Sequence, residues 1–149
     1  LMALKQLKLV LKVTSDKEEK LRLEYIKSQQ YLNDSQEKLN GLSEFKFDYM
    51  KQLQAKGESG LTGANYSHYQ SFIAKIENAM NQQIQVINTA KQVVAQRKDI
   101  WLEQQIKAKA IEKLIDKKNN LLLHKRNKAE QISLDEFTTN QFIQRQKQL

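Results

Sequence analysis

The segment YSHYQSFIAKIENAMNQQIQVINTAKQVVAQRKDIWLEQQIKAKAIEKLIDKKNNLL, residues 66–122, decides the fold. Stepping by seven from Tyr66 gives Tyr66, Ile73, Met80, Ile87, Val94, Trp101, Ala108, Ile115 and Leu122, every one apolar or aromatic. In a chain that is 40% hydrophobic, nine such residues in one of seven phases arise by chance at a rate on the order of 0.2%, so the row marks a periodic helix. The neighbouring row is nearly as clean: Phe72, Ala79, Val86, Val93 and Ile100, then Lys107, then Leu114 and Leu121. A third, weaker row reads Tyr69, Ile76, Gln83, Ala90, Arg97, Gln104 and Ile111. A period of seven, slightly short of two full helical turns, predicts a left-handed supercoil with a partner helix.

The partner lies upstream. Leu4, Leu11, Tyr25, Leu32, Leu39 and Leu53 share one seven-spaced row, interrupted by Glu18 and Lys46. Leu7, Leu21, Leu42 and Tyr49 share the companion row, with Thr14, Ser28 and Ser35 between them. The polar members predict a seam weaker than that of a uniform zipper. Between the two segments, residues 56–65 read KGESGLTGAN, the only stretch dense in turn residues. Gly57 is placed to end the first helix in the left-handed region, and Asn65 to cap the second. The expected map is an all-α, long antiparallel two-helix coiled coil, a single helical hairpin over 1–149. Its parts are helix 2–56, loop 57–65, helix 66–132 and a C-terminal segment 133–149. At 1.5 Å per residue the arms would be roughly 80 and 100 Å long. Ser133-Leu134-Asp135-Glu136 has capping-box form, so a short third helix can restart there or the helix can run on.

Composition agrees. The 149 residues include no Pro and four Gly, three of them at 57, 60 and 63, which leaves turns for little beyond one hairpin. Leu, Lys, Gln, Glu and Ala suit long helices washed by solvent, because straight side chains lose little rotamer freedom there. Without cysteine there are no disulfides, thiolate nucleophiles or thiolate metal sites. No apolar run approaches the ~18 residues that span a bilayer, and Lys5, Lys8 and Lys12 break the apolar character of Leu1–Val13, so it has no signal-peptide centre.

No catalytic constellation is present. His68 and His124 lie far apart without ligand-spaced neighbours, and the loop glycines lack the G-x-x-x-x-G-K-[ST] phosphate cradle. A two-helix hairpin offers no deep pocket to perturb a carboxylate. The expectation is a non-enzyme without catalytic residues, cofactor or metal. The net charge of +8 calls instead for an acidic partner surface, a nucleic acid or an anionic membrane. Arg97, Lys98, Lys107, Lys109, Lys113, Lys117, Lys118, Lys125, Arg126 and Lys128 form a basic stripe on the long arm, offset only by Asp99, Glu103, Glu112 and Asp116. The aromatics gather elsewhere. Phe45, Phe47 and Tyr49 precede the loop and Tyr66, Tyr69 and Phe72 follow it, so a hairpin brings them together. Because two helices bury one face each, Lys38, Leu42, Phe45, Tyr49, Phe72, Ile76, Ala79 and Gln83 read as a second stripe left exposed, and exposed apolar patches mark binding sites.

The chain resembles the flagellar export protein FliJ family over essentially its whole length. The resemblance rests on Tyr66-x-x-Tyr69-Gln70-x-Phe72-Ile73, on Glu77-x-Ala79-x-x-x-Gln83, on Trp101 amid lysines and on Asp135-Glu136-Phe137. Leu39-x-x-Leu42 with Phe45 and Tyr49 ahead of the loop completes it. The family prefers Trp near position 66 and Tyr near 45. Here Tyr66 and Phe45 stand there, which keeps the packing and removes a hydroxyl at 45. The resemblance implies an antiparallel coiled coil similar to the γ stalk of rotary ATPases. Its partners would be the hexameric flagellar export ATPase, the cytoplasmic domain of the export gate's large subunit, and export chaperones. The gate contact would use Lys38, Leu42, Phe45, Tyr49, Phe72, Ile76, Ala79 and Gln83. The ATPase contact would use the end away from the loop, where the basic stripe lies. The location implied is cytoplasmic, peripheral to the inner-membrane export apparatus through its partners.

Three other readings compete. The stalk protein of a virulence type III injectisome shares the fold, though the motifs above favour the flagellum. A basic nucleic-acid-binding hairpin fits the charge, but the aromatics sit away from the densest lysines, which suits base stacking poorly; no specific nucleic acid is expected. A membrane-surface helix at Leu1–Val13 has too little apolar area for firm anchoring.

Overall fold

A computed structural model describes residues 2–148. Leu1 and Leu149, the outermost positions of the expected 1–149 span, lie outside the described residues. Two helices, α1 (Leu4–Glu58) and α2 (Gly63–Gln148), pack together as a helical hairpin, and no strand occurs among the described residues. Neither helix contains proline, so the backbone hydrogen-bond ladder runs without a missing donor.

The turn is tighter than the sequence suggests. Gly57 and Glu58 still belong to α1, and Gly60 alone takes the left-handed conformation, with φ of 94°. The Gly60 amide donates to the Gly57 carbonyl, 3.3 Å, and the Ser59 hydroxyl to the Lys56 carbonyl, 3.1 Å. Thr62 rather than Asn65 caps α2: its Oγ1 accepts the Asn65 amide at 3.3 Å, and its carbonyl accepts the Tyr66 amide at 3.0 Å. The hydroxyl thereby satisfies one of the orphan N–H groups of the first turn.

The far end also differs from the expected map. α2 runs through Ser133–Glu136 to Gln148 without a restart. With no glycine or proline between 120 and 148, nothing ends the helix there, and the S-x-x-E spacing falls inside a continuous ladder.

The chain divides into two compact units: residues 19–103, and residues up to 18 with those from 104 onward. In the first unit, the Gln83 side-chain amide donates to the Ser35 carbonyl at 2.8 Å. In the second, Gln104 donates to the Thr14 carbonyl at 3.1 Å. The residue numbers of each pair sum to 118, as expected of antiparallel helices in one heptad register.

Burial identifies the rows that face each other. In α2, Ile73, Ile87, Ala108 and Ile115 are buried, and Met80, Val94 and Trp101 half-buried, which places this row in the seam. Tyr66 and Leu122, its two ends, are exposed. The companion seam row is the weak one: Tyr69, Ile76, Gln83, Ala90, Gln104 and Ile111 are all buried or half-buried, with Arg97 the exposed member. The cleaner row lies beside the seam: Phe72, Ala79, Val86 and Val93 are half-buried, and Ile100 and its continuation, Lys107, Leu114 and Leu121, are exposed. In α1 both predicted rows face α2, with their polar members Thr14, Glu18, Ser28, Ser35 and Lys46 included. Thr14 and Ser28 return their hydroxyls to Val10 and Tyr25 carbonyls, at 2.7 and 2.6 Å, which makes their inward position affordable. From Asn119 to Gln148 every residue of α2 is exposed, because α1 begins at Leu4 and the register leaves nothing opposite.

Candidate functional site

In the unit formed by residues 19–103, the hairpin gathers four rings near the turn. Tyr49 packs on Phe72, centroids 4.6 Å apart, and on Tyr69 at 5.0 Å. Phe45 meets Phe72 edge-on at 6.1 Å and Tyr49 at 6.3 Å. Phe47 faces away, under the Lys51 ammonium at 4.5 Å. Lys56 donates a hydrogen bond to the Tyr69 hydroxyl, which holds its ammonium above the usual lysine range.

The eight residues expected as one exposed stripe divide between two settings. Lys38 and Phe45 are exposed, and Phe72 and Ala79 half-buried, along one outer edge of the pair. Leu42 and Tyr49 are half-buried in the seam. Ile76 and Gln83 are buried in it, at 5% and 6% exposure, so they support the edge and offer no surface of their own. Their 3/4 spacing from Phe72 and Ala79 puts them one position further round the helix, toward α1.

That edge has a composition of its own. Positions just before the first seam row are Glu24, Tyr31, Lys38 and Phe45 in α1, and Phe72, Ala79, Val86, Val93 and Ile100 in α2. The opposite edge is Arg22, Gln29, Gln36, Ser43 and Met50 against Gln70, Glu77, Ile84, Lys91 and Lys98. One edge is mainly apolar and the other mainly polar. On the apolar edge, a groove of about 700 Å³ opens beyond the ring cluster, lined by Tyr31, Val86, Thr89 and Val93 and closed by Glu24 and Arg97. Arg97 bridges to Glu24 at 3.4 Å. The sequence alone did not single out Tyr31, whose place on this edge depends on the register between the helices.

The basic stripe is also divided. Arg97 and Lys98 belong to the unit of residues 19–103, where Arg97 is engaged by Glu24. In the other unit, Lys109, Lys113 and Lys117 follow one another at four-residue spacing on an exposed face, and Lys107 is exposed on a different side of the helix. Lys118 is half-buried and donates to the Met2 carbonyl. Arg126 pairs with Glu130 at 3.5 Å, and Lys125 and Lys128 are exposed. Trp101 is not available to stack on a base, because it lies in the seam on Tyr25, centroids 5.5 Å apart and nearly parallel. Among the described residues, no group of His, Asp and Glu is placed to hold a metal ion, and no helix is long and apolar enough to cross a membrane.

The family model described as Flagellar FliJ protein matches residues 3–147. No curated protein and no solved structure matches the chain. The match covers nearly the whole chain, so the chain belongs to the FliJ family, whose members are non-catalytic components of flagellar protein export.

Proposed function

We propose that this FliJ-family chain is a stalk and escort component of the flagellar type III export apparatus, working at the cytoplasmic face of the inner membrane. It would insert into the hexameric export ATPase, contact the cytoplasmic domain of the export gate's large subunit and bind export chaperones. The observation that carries the gate contact is the ring cluster by the turn, where Phe45 is 50% exposed and leans on Phe72. Large aromatics held by neighbours yet open to solvent present apolar area at little entropic cost, which is the character of interface anchors. Phe45, Phe72, Lys38 and Ala79 form the contact; Tyr49, Leu42, Ile76 and Gln83 hold them in place. For the ATPase, the exposed face of Lys109, Lys113 and Lys117 is the docking surface, and opposite charge there steers association.

The test uses the full chain with purified gate domain and purified ATPase. Phe45→Ala with Phe72→Ala should weaken gate binding at least tenfold, with helicity and ATPase binding kept. Gate binding unchanged in a folded double variant would refute the contact. ATPase association should persist at about 150 mM salt, where the Debye length is roughly 8 Å. Binding to DNA through the same lysines should be lost, because counterion release penalises it steeply.

A further inference from the structure

The apolar edge does not end at the ring cluster. Along α2 it continues from Phe72 through Ala79 and Val86 to Val93, apolar at every seventh residue, and Tyr31 of α1, 58% exposed, closes over Val86 and Val93. We propose that this groove is a second interaction surface that seats an amphipathic, acidic α-helix of a partner protein, making a local three-helix arrangement.

Three observations point to that occupant. The first is the period. Apolar groups along the edge recur about every 10.5 Å, seven residues at 1.5 Å each. A second helix meets that spacing every two turns, whereas a strand offers same-face side chains about every 6.8 Å and falls out of step. The second is length. The groove covers Gln85 to Arg97 on α2, and the apolar row that continues it back to Phe72 brings the edge to three heptad steps, roughly 32 Å, the length of a helix of about 21 residues. The third is charge. The groove itself is lined by Lys27 and Arg97 against Glu24, and since Arg97 and Glu24 pair with each other, Lys27 is its net charge. The surplus is cationic, which favours carboxylates flanking the occupant's apolar stripe. Helix-in-groove binding of this kind takes its affinity from apolar anchors at i, i+3, i+4 and i+7. This surface shares Phe72 and Ala79 with the proposed gate contact, whereas Tyr31, Val86 and Val93 lie beyond it, so substitutions at Val86 and Val93 test the groove without touching the gate residues.

The probe is a labelled 21-residue synthetic peptide with Leu at the two seam positions of each heptad and Glu at the flanking ones. A control peptide has the same composition rearranged in strict apolar–polar alternation. Titrated with the full chain, the heptad peptide should gain helicity and bind saturably, and the control should not. Val86→Glu with Val93→Glu should weaken binding at least tenfold, and Ile84→Glu, on the polar edge, less than twofold. Circular dichroism checks that each variant folds, and Val86→Thr with Val93→Thr, nearly isosteric, should weaken binding severalfold if the charged pair unfolds the chain. No saturable binding, or equal loss from Ile84→Glu, overturns the proposal. So does a dimer in sedimentation that Val86→Glu dissociates, since the occupant would then be a second copy.

Discussion

Replacing Trp101 by alanine, and separately by phenylalanine, tests how the seam is held. The indole is half-buried, stacked on Tyr25, and its Nε1–H is buried with no hydrogen-bond partner among the described residues. Truncating a fully buried Trp costs about 3–5 kcal/mol. Half-burial brings the expected loss for Trp101→Ala to about 2–3 kcal/mol, of which the stack on Tyr25 supplies about 0.5–1.5. With m of about 1–3 kcal/mol/M in urea, the midpoint should fall by about 0.7–3 M. Phenylalanine behaves differently. It keeps a ring on Tyr25 and gives up about 1 kcal/mol of apolar area, but it removes a buried donor whose desolvation costs about 1–3 kcal/mol. Trp101→Phe should therefore lie between neutral and about 2 kcal/mol more stable. Far-UV circular dichroism is the assay, because Trp101 is the only tryptophan and its fluorescence is lost in both variants. If Trp101→Ala leaves the midpoint unchanged, the row is not the seam. If Trp101→Phe loses as much as alanine, the unpaired N–H carries no cost and the reasoning fails.

Other substitutions probe separate features. Gln83→Ala should cost about 2 kcal/mol by removing the bond to Ser35 and leaving a gap, whereas Gln83→Leu should be neutral or stabilising by about 1, since an apolar isostere needs no partner; urea melts of the two separate the effects. Thr62→Ala should lose about 1 kcal/mol, as a lost N-cap does, and Asn65→Ala less than about 0.5, in thermal melts. Gly60→Ala forces a side chain into the left-handed region and should cost about 1–2 kcal/mol by the same measurement. Lys109→Glu with Lys113→Glu and Lys117→Glu should slow association with the ATPase in stopped flow while moving stability by under about 1 kcal/mol, because exposed charges contribute little to the fold.

The hairpin was legible because Ile73, Ile87 and Ile115 are large, apolar and spaced by multiples of seven, and because glycine clusters in one place. The companion row was not, since Gln83 and Gln104 look like surface residues. Each enters the seam because its amide reaches a main-chain carbonyl of the other helix, a partner that no count of apolar residues registers. The cleaner neighbouring row, Phe72 to Ile100, is instead the edge of the pair. The turn failed on a finer point: three glycines can each adopt positive φ, and Gly60 rather than Gly57 does, with Thr62 rather than Asn65 as the cap. At the candidate site four of the six aromatics expected together do cluster, Phe45, Tyr49, Tyr69 and Phe72, while Phe47 faces away and Tyr66 stands exposed outside the ring contacts. The division of Ile76 and Gln83 from Phe72 and Ala79 was not legible, because it depends on which side of α2 meets α1. The groove past Tyr31 needed the register itself, which neither helix carries alone.

The placement of polar and apolar residues in the unit of residues 19–103 bears on function more than on stability. Ser28, Ser35, Lys46 and Gln83 occupy seam positions where leucines would bind the helices more tightly, and no large side chain is completely buried. Meanwhile Phe45, Phe72, Val86, Val93 and Tyr31, which would strengthen such a seam, stand on one edge at partial or full exposure. A two-helix pair has apolar capacity for one face of each helix. Apolar side chains spent outside that face cost solvation in the free molecule and return it only when something covers them. The polar edge opposite, with Gln29, Gln70 and the Lys46–Glu77 pair at 3.0 Å, carries no comparable cost and faces water. Burial of the apolar edge by a partner helix would therefore supply the packing that the two-helix seam lacks. Partner binding should then raise the melting temperature of the chain, and it should do so through Val86 and Val93 rather than Ile84.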